Sequence, residues 1–397
     1  MTRYEQDKLY YGVTTLFISA TMLVDCVRYL GSLFLPVLSV VVEPLRNVLY
    51  IGCLLYIAYL FIRYGIGRFD ALFTVLSAAA WGVSIALAPG ILSFAAPAIL
   101  LFYSRVYAGI ILLRHIRNYD RLARALSFML PVAVVYTGLA FFHSGNAYLT
   151  MSYNLLPVAT FLMLYGFRMK KVLMALAGTA SFLIAGLLGS RGALLGGLAG
   201  LTLYVLADAV RNARRLTQAR LLGYLAVLTG IVCLFVFSEP VITLLSEVFD
   251  TSRTLELLLS GNITSDSGRL TLYSRITEAI DAELFRPHGL LADRLVISGS
   301  RASYTSYPHS IVYEIVYQFG LLLAIPLLGA IAFCLLRKAG HVRRMSSTQL
   351  IMLCSFVPIT FVQLMVSSSY LISWLFGIAM GLILASDRRP ADLRRCK

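Results

Sequence analysis

Three arginines and one histidine could together hold an anion and move a proton. Arg191 lies in Leu-Leu-Gly-Ser-Arg-Gly-Ala-Leu-Leu, between two apolar stretches. Arg269 follows Ser267-Gly268 and stands one helical turn before Tyr273. Arg294 follows Asp293, and Tyr307-Pro308-His309 leads into Ser310, Glu314 and Gln318 at spacings of four. A guanidinium is planar, permanently charged and suited to gripping an anion through two parallel N–H groups. Histidine titrates near neutrality and can take or give a proton there. In a helix beginning at Ile311, Ser310, Glu314 and Gln318 share one face.

Each of these residues also has a plainer reading. An arginine at the end of a membrane helix can snorkel to the headgroups. Arg191 is flanked by glycines, which let another backbone or a ligand come close. Leu272, Ile276 and Ile280 recur at spacings of four, so residues 270–284 read as an amphipathic helix. Lying on the membrane surface, that helix would give Arg269 to lipid phosphate. Turned inward, it would give Arg269 to a bound anion. A lone histidine in a loop is ordinarily solvated, but His309 stands directly before a helix, beside Tyr307 and Glu314. Glu314 falls near the end of a span, where an unpaired carboxylate is costly, so an arginine partner is expected. The rings of 148–154, including Tyr153, fit either an aromatic belt or a sugar-facing surface. Glu43, Arg46 and Arg105 are expected to pair with neighbours.

These residues are set in a chain that is 59% hydrophobic and only 13% charged. Apolar runs of about 20 residues recur throughout, the pattern of transmembrane helices and not of alternating barrel strands. The chain therefore reads as an all-α, polytopic membrane protein with about 12 spans. They are placed at 9–27, 47–62, 71–89, 91–113, 123–142, 154–167, 172–189, 192–208, 221–238, 311–336, 349–366 and 370–386. Gly31–Val42 is apolar but short, and is expected to be re-entrant or interfacial. The first run lacks a cleavage pattern and reads as a span.

Every second loop is rich in Lys and Arg, and the alternate loops are nearly free of them. This places both termini in the cytoplasm. It also accounts for the net charge of +15 without nucleic acid. The organisation is then residues 1–238 with nine spans, a long outer loop 239–310, and 311–397 with three spans and a cytoplasmic tail. The long loop has no Lys, and Arg191 falls on the same outer face. The six cysteines lie outside the loop, without metal-type spacing, so neither a disulfide framework nor a zinc site is expected.

Four ordered segments resemble the O-antigen polymerase and O-antigen ligase superfamily. Tyr-Leu-Thr-Met-Ser-Tyr-Asn-Leu-Leu-Pro (148–157) resembles the start of a middle span in many polysaccharide polymerases. Residues 188–194 look like the family's Ser-Arg-Gly turn. Ser267-Gly268-Arg269 with Tyr273 resembles the start of its outer-loop helix. Tyr307-Pro308-His309 with Glu314 is similar to its His-Asn-x-x-x-Glu segment. Ser310 stands where the family has Asn, and Pro287-His288-Gly289 replaces a Gly-aromatic-Gly.

The resemblance implies a GT-C-like, metal-independent glycosyltransferase without cofactor in the bacterial inner membrane, its active site periplasmic. Donor and acceptor would be oligosaccharides on undecaprenyl diphosphate, among membrane lipids, with a chain-length regulator as a further candidate partner. His309, Arg191 and Arg269 would be catalytic. Arg294, Tyr307, Glu314, Tyr273 and Tyr153 would bind substrate. Polymerisation of repeat units is the first reading. Ligation to a lipid A core, or transfer to a protein hydroxyl, uses the same donor. A transporter of lipid-linked sugars is the alternative from another class, but the halves show no repeat and the spans carry few midplane charges.

Overall fold

A computed structural model describes residues 2–34, 38–142, 148–188, 190–213 and 269–386. Among them all regular structure is helical. The helices are α1 (Tyr10–Phe34), α2 (Leu38–Tyr64), α3 (Arg68–Leu87), α4 (Leu92–Leu101) and α5 (Ala108–Arg114). They continue with α6 (Tyr119–Ser127), α7 (Leu130–Phe142), α8 (Tyr148–Met169), α9 (Val172–Leu188) and α10 (Arg191–Arg211). After the undescribed stretch come α11 (Arg269–Ala282), α12 (Ala292–Ser298), α13 (Ile311–Gly340), α14 (Ser347–Val366) and α15 (Trp374–Leu384). Seven helices among the described residues are long and apolar enough to cross a membrane, and α6 and α7, bent by 47°, would form an eighth as one broken span. The protein is thus an all-helical, polytopic membrane protein.

Several details differ from the expected spans. The described residues of Gly31–Val42 belong to the end of α1 and the beginning of α2, and not to a separate short element. The apolar stretch 123–142 is bent between α6 and α7. Residues 148–153 are the first turns of α8 and not a loop, so Tyr153 sits inside a helix. The expected span 221–238 and the loop residues 239–268 lie outside the described residues. Arg46 reaches Asp25 (3.9 Å) and Arg105 donates to Asn47 Oδ1 (2.8 Å). Glu43 lies in a stretch whose side chains are not described.

Small residues let the helices meet backbone to backbone. At Gly178 on α9, an added Cβ would lie 2.8 Å from Met163 Cα on α8. The expected continuous span 311–336 is broken at Gly320, whose φ of 66° and ψ of 159° leave the helix. A Cβ there would lie 2.5 Å from the Phe285 carbonyl oxygen. The backbone groups freed by the break are satisfied by the connection between α11 and α12. Gln318 O accepts from His288 N (3.2 Å) and Gly289 N (2.9 Å), and Leu321 N donates to Leu284 O (2.9 Å). Backbone groups at membrane depth need such internal partners.

The ends of the helices differ in character. Arg211, at the end of α10, donates to Ser347 at the start of α14 (2.6 Å). Asp70, Arg114 and His115 meet at the start of α3 and the end of α5. The opposite ends of α10, α13 and α14 carry Ser190–Gly192, Ser310–Glu314 and Ser367. Substituting Gly178→Ala is expected to overpack the α8–α9 contact and destabilise the protein by about 1–3 kcal/mol. Thermal unfolding of the purified protein in detergent checks this.

Candidate active site

The site is assembled around Arg294, which α12 buries completely. Glycine and left-handed backbone set the position of this helix. Gly289 has φ 91° and lies against Ser84, and Leu291 has φ 65° just before the helix begins. Leu290 N donates to Ser84 Oγ (2.7 Å), fastening the segment to the end of α3. On the other side, Ile276 and Ile280 of α11 pack with Ala292 and Tyr317. The apolar stripe of 270–284 is therefore buried against α12 and α13, which corrects the surface-lying reading of that helix.

Arg294 Nη1 pairs with Asp293, and Nη2 bonds Glu314 Oε1 (2.8 Å) and Ser369 Oγ (2.8 Å). Ser369 in turn donates to Glu314 Oε1. Gln318 Nε2 donates to Asp293 Oδ1 (2.7 Å), and Tyr370 donates to Gln318 Oε1 (2.5 Å). Burial works against the charge on Arg294, but Asp293 and Glu314 more than offset it, and its pKa lies above the ordinary arginine value. The expected partner of Glu314 is thus Arg294. The guanidinium is enclosed and both terminal nitrogens are engaged, so in this conformation Arg294 orders the site and does not face a ligand.

His309 stands above this network with a left-handed backbone (φ 55°). Such a conformation is uncommon for a residue with a side chain, and it clusters at functional sites. Its ring meets Tyr307 edge-on at 4.7 Å. Tyr307 donates to the Ser367 carbonyl (2.9 Å) and lies under the Arg294 guanidinium (5.8 Å). Burial, then Glu314, push the Tyr307 hydroxyl up to about 12, so it remains a donor. Burial, reinforced by Arg269 and Arg294, holds His309 below the ordinary histidine value. The ring is therefore neutral at neutral pH and able to accept a proton.

Two further elements close around this point. Ser190 caps α10 by accepting from Ala193 N (3.1 Å), and its own N–H donates to Ser152 Oγ on α8 (3.3 Å). This places the first residue of α10, Arg191, beside the start of α8. The Tyr153 ring lies against Gly192. Its hydroxyl is next to Ser190 and Ser367 but makes no hydrogen bond of good geometry. Arg269, half-exposed on α11, interacts electrostatically with Tyr153, Tyr273 and His309. Tyr273 stacks on Tyr313 at 5.1 Å.

The sequence-expected residues thus converge, apart from the side chain of Arg191, which is not described. Four buried atoms around the site have no hydrogen-bond partner among the described residues: Tyr153 Oη, Arg294 Nε, His309 Nδ1 and Glu314 Oε2. Buried polar atoms are nearly always satisfied, so such a group asks for a ligand or water. Sequence reasoning missed Ser369, Tyr370 and the Ser367 carbonyl. Their only signal is the polar run Ser367-Ser368-Ser369-Tyr370 at the end of a span. No family model, curated protein or solved structure matches the chain.

Removing one member of a buried ion pair strands the other. Arg294→Ala is expected to destabilise by about 3–5 kcal/mol, and Ser369→Ala by about 1–3 kcal/mol. Denaturant or thermal unfolding measures both. A wild-type unfolding curve for Arg294→Ala would contradict this assignment.

Proposed function

We propose that the protein polymerises lipid-linked oligosaccharide repeat units, moving a growing glycan from undecaprenyl diphosphate onto the next lipid-linked unit. The observation that carries the reading is the meeting of four distant segments, 148–157, 190–194, 269–273 and 307–314, in one place. These are the segments that resemble the polysaccharide polymerases. The unpartnered buried atoms call for hydrogen bonds, and a sugar supplies several hydroxyls. The site lies at the helix ends opposite the basic loops. By the positive-inside rule this supports a site on the periplasmic face of the inner membrane.

In this reading the acceptor hydroxyl attacks the anomeric carbon of the donor. The bond from that carbon to the diphosphate oxygen breaks, and undecaprenyl diphosphate leaves. Arg191 and Arg269 neutralise the charge that develops on the leaving oxygen. His309 takes the hydroxyl proton at a ring nitrogen. Glu314, held through Oε1 by Arg294 and Ser369, turns Oε2 to a donor on the substrate. Tyr153, Tyr273 and Tyr307 line the path of the sugars.

His309→Ala is expected to reduce polymer to single repeat units in a complementation assay, with protein level unchanged. Unchanged polymer would remove His309 from the mechanism. Arg191→Lys keeps the charge but loses the bidentate grip, and is expected to lose most activity. Retained activity would point to snorkelling. The base must be neutral, and its pKa is lowered. Activity should therefore persist as pH falls through about 6.5, the ordinary histidine value, and fail only below it. A pH–rate profile with its acid limb above that value would contradict the assignment.

A further inference from the structure

Outside the pocket, one ring touches the frame that holds it. His288 lies on the connection between α11 and α12 and stacks face to face on Tyr317 (4.1 Å, 8°). Its Nδ1 is 3.0 Å from the Tyr317 carbonyl oxygen, and its Nε2 is 2.9 Å from Glu283 Oε2. A carbonyl and a carboxylate only accept hydrogen bonds. Neutral imidazole has one N–H and can satisfy one of them, leaving a lone pair against the other. The imidazolium has an N–H on each nitrogen and satisfies both.

The charged and titratable groups around the ring are few. Glu283 faces it from the end of α11, and Arg286 holds Glu283 from the other side (2.6 Å). Tyr317 of α13 supplies the stacked ring and the carbonyl, and Asp293 and Arg286 act on that tyrosine through space. The backbone amides of His288 and Gly289 close the break at Gly320 through Gln318 O. The Gln318 side chain then bonds Asp293, the neighbour and partner of Arg294.

We propose that His288 is a positioning residue that works as a proton-dependent latch. As imidazolium it fastens the 283–289 connection to the broken helix α13, and so holds α12, with Arg294, against Glu314. The latch stands on the fold alone, whereas its effect on catalysis rests on the glycan-transfer reading. Only the cation satisfies both acceptors, so the latch holds when both ring nitrogens carry a proton, at lower pH, and loosens as pH rises. This sign is opposite to that of His309, which acts when neutral.

The test is amide hydrogen exchange of the full-length protein in lipid nanodiscs at a series of pH values, corrected for intrinsic exchange rates and without substrate. Peptides covering 284–290 and 318–321 are expected to become several-fold better protected as pH falls. His288→Gln should abolish that dependence, and Glu283→Gln should weaken it, while protection in α14 stays constant. Wild-type protection that does not change with pH, or a dependence that survives His288→Gln, would overturn the latch. Should His288→Gln fail to fold, the wild-type titration and Glu283→Gln decide the matter. A pH-dependent latch in a protein that forms no glycosidic bond would refute only the glycan-transfer reading. Polymerisation with a flat exchange profile would refute only the latch.

Discussion

The structure depends on a buried ion pair where α12, α13 and the loop before α15 meet. Arg294 and Glu314 are fully enclosed, and Asp293 adds a second carboxylate. Two carboxylates and one guanidinium out of water are unfavourable unless each is paired and hydrogen-bonded. Ser369, Gln318 and Tyr370 supply the missing partners. This requirement ties α12, α13 and the loop before α15 into one arrangement. It also fixes Glu314 asymmetrically, with Oε1 filled by neighbours and Oε2 unfilled.

A second constraint comes from the backbone. Helices at membrane depth satisfy their own polar groups, so any break needs outside partners. The break at Gly320 finds them in residues 284–289, and the start of α10 finds them in the Ser190 side chain and Ser152. Both devices stand beside the site. They allow a non-helical backbone, including the left-handed His309, where substrate and lipid would meet. The groups of the candidate site are then presented by short segments.

The legible part of the fold was set by composition and periodicity. Long apolar runs with alternating basic loops mark helices that cross a membrane, and the stripe of Ile276 and Ile280 marks α11. Arg191, Arg269, His309 and Glu314 stand out because charges are rare in this chain. The break in α13 was not legible, because Gln318-Phe319-Gly320-Leu321 sits in a run that reads as one span. Only the partners at 284–289, far off in sequence, make it stable. Ser369 was hidden for a similar reason. A serine after a span is ordinary, and its role exists only through Arg294 and Glu314. Arg294 was expected to bind substrate, but it is fully buried and paired with Asp293 and Glu314.

In the proposed function, this site makes a glycosidic bond at the expense of a lipid diphosphate linkage. The direct measurement uses purified protein in proteoliposomes with a labelled repeat unit on undecaprenyl diphosphate. Lipid-linked products of two and more repeat units are expected, with release of undecaprenyl diphosphate. Label that crosses the bilayer with no new glycosidic bond would contradict that function.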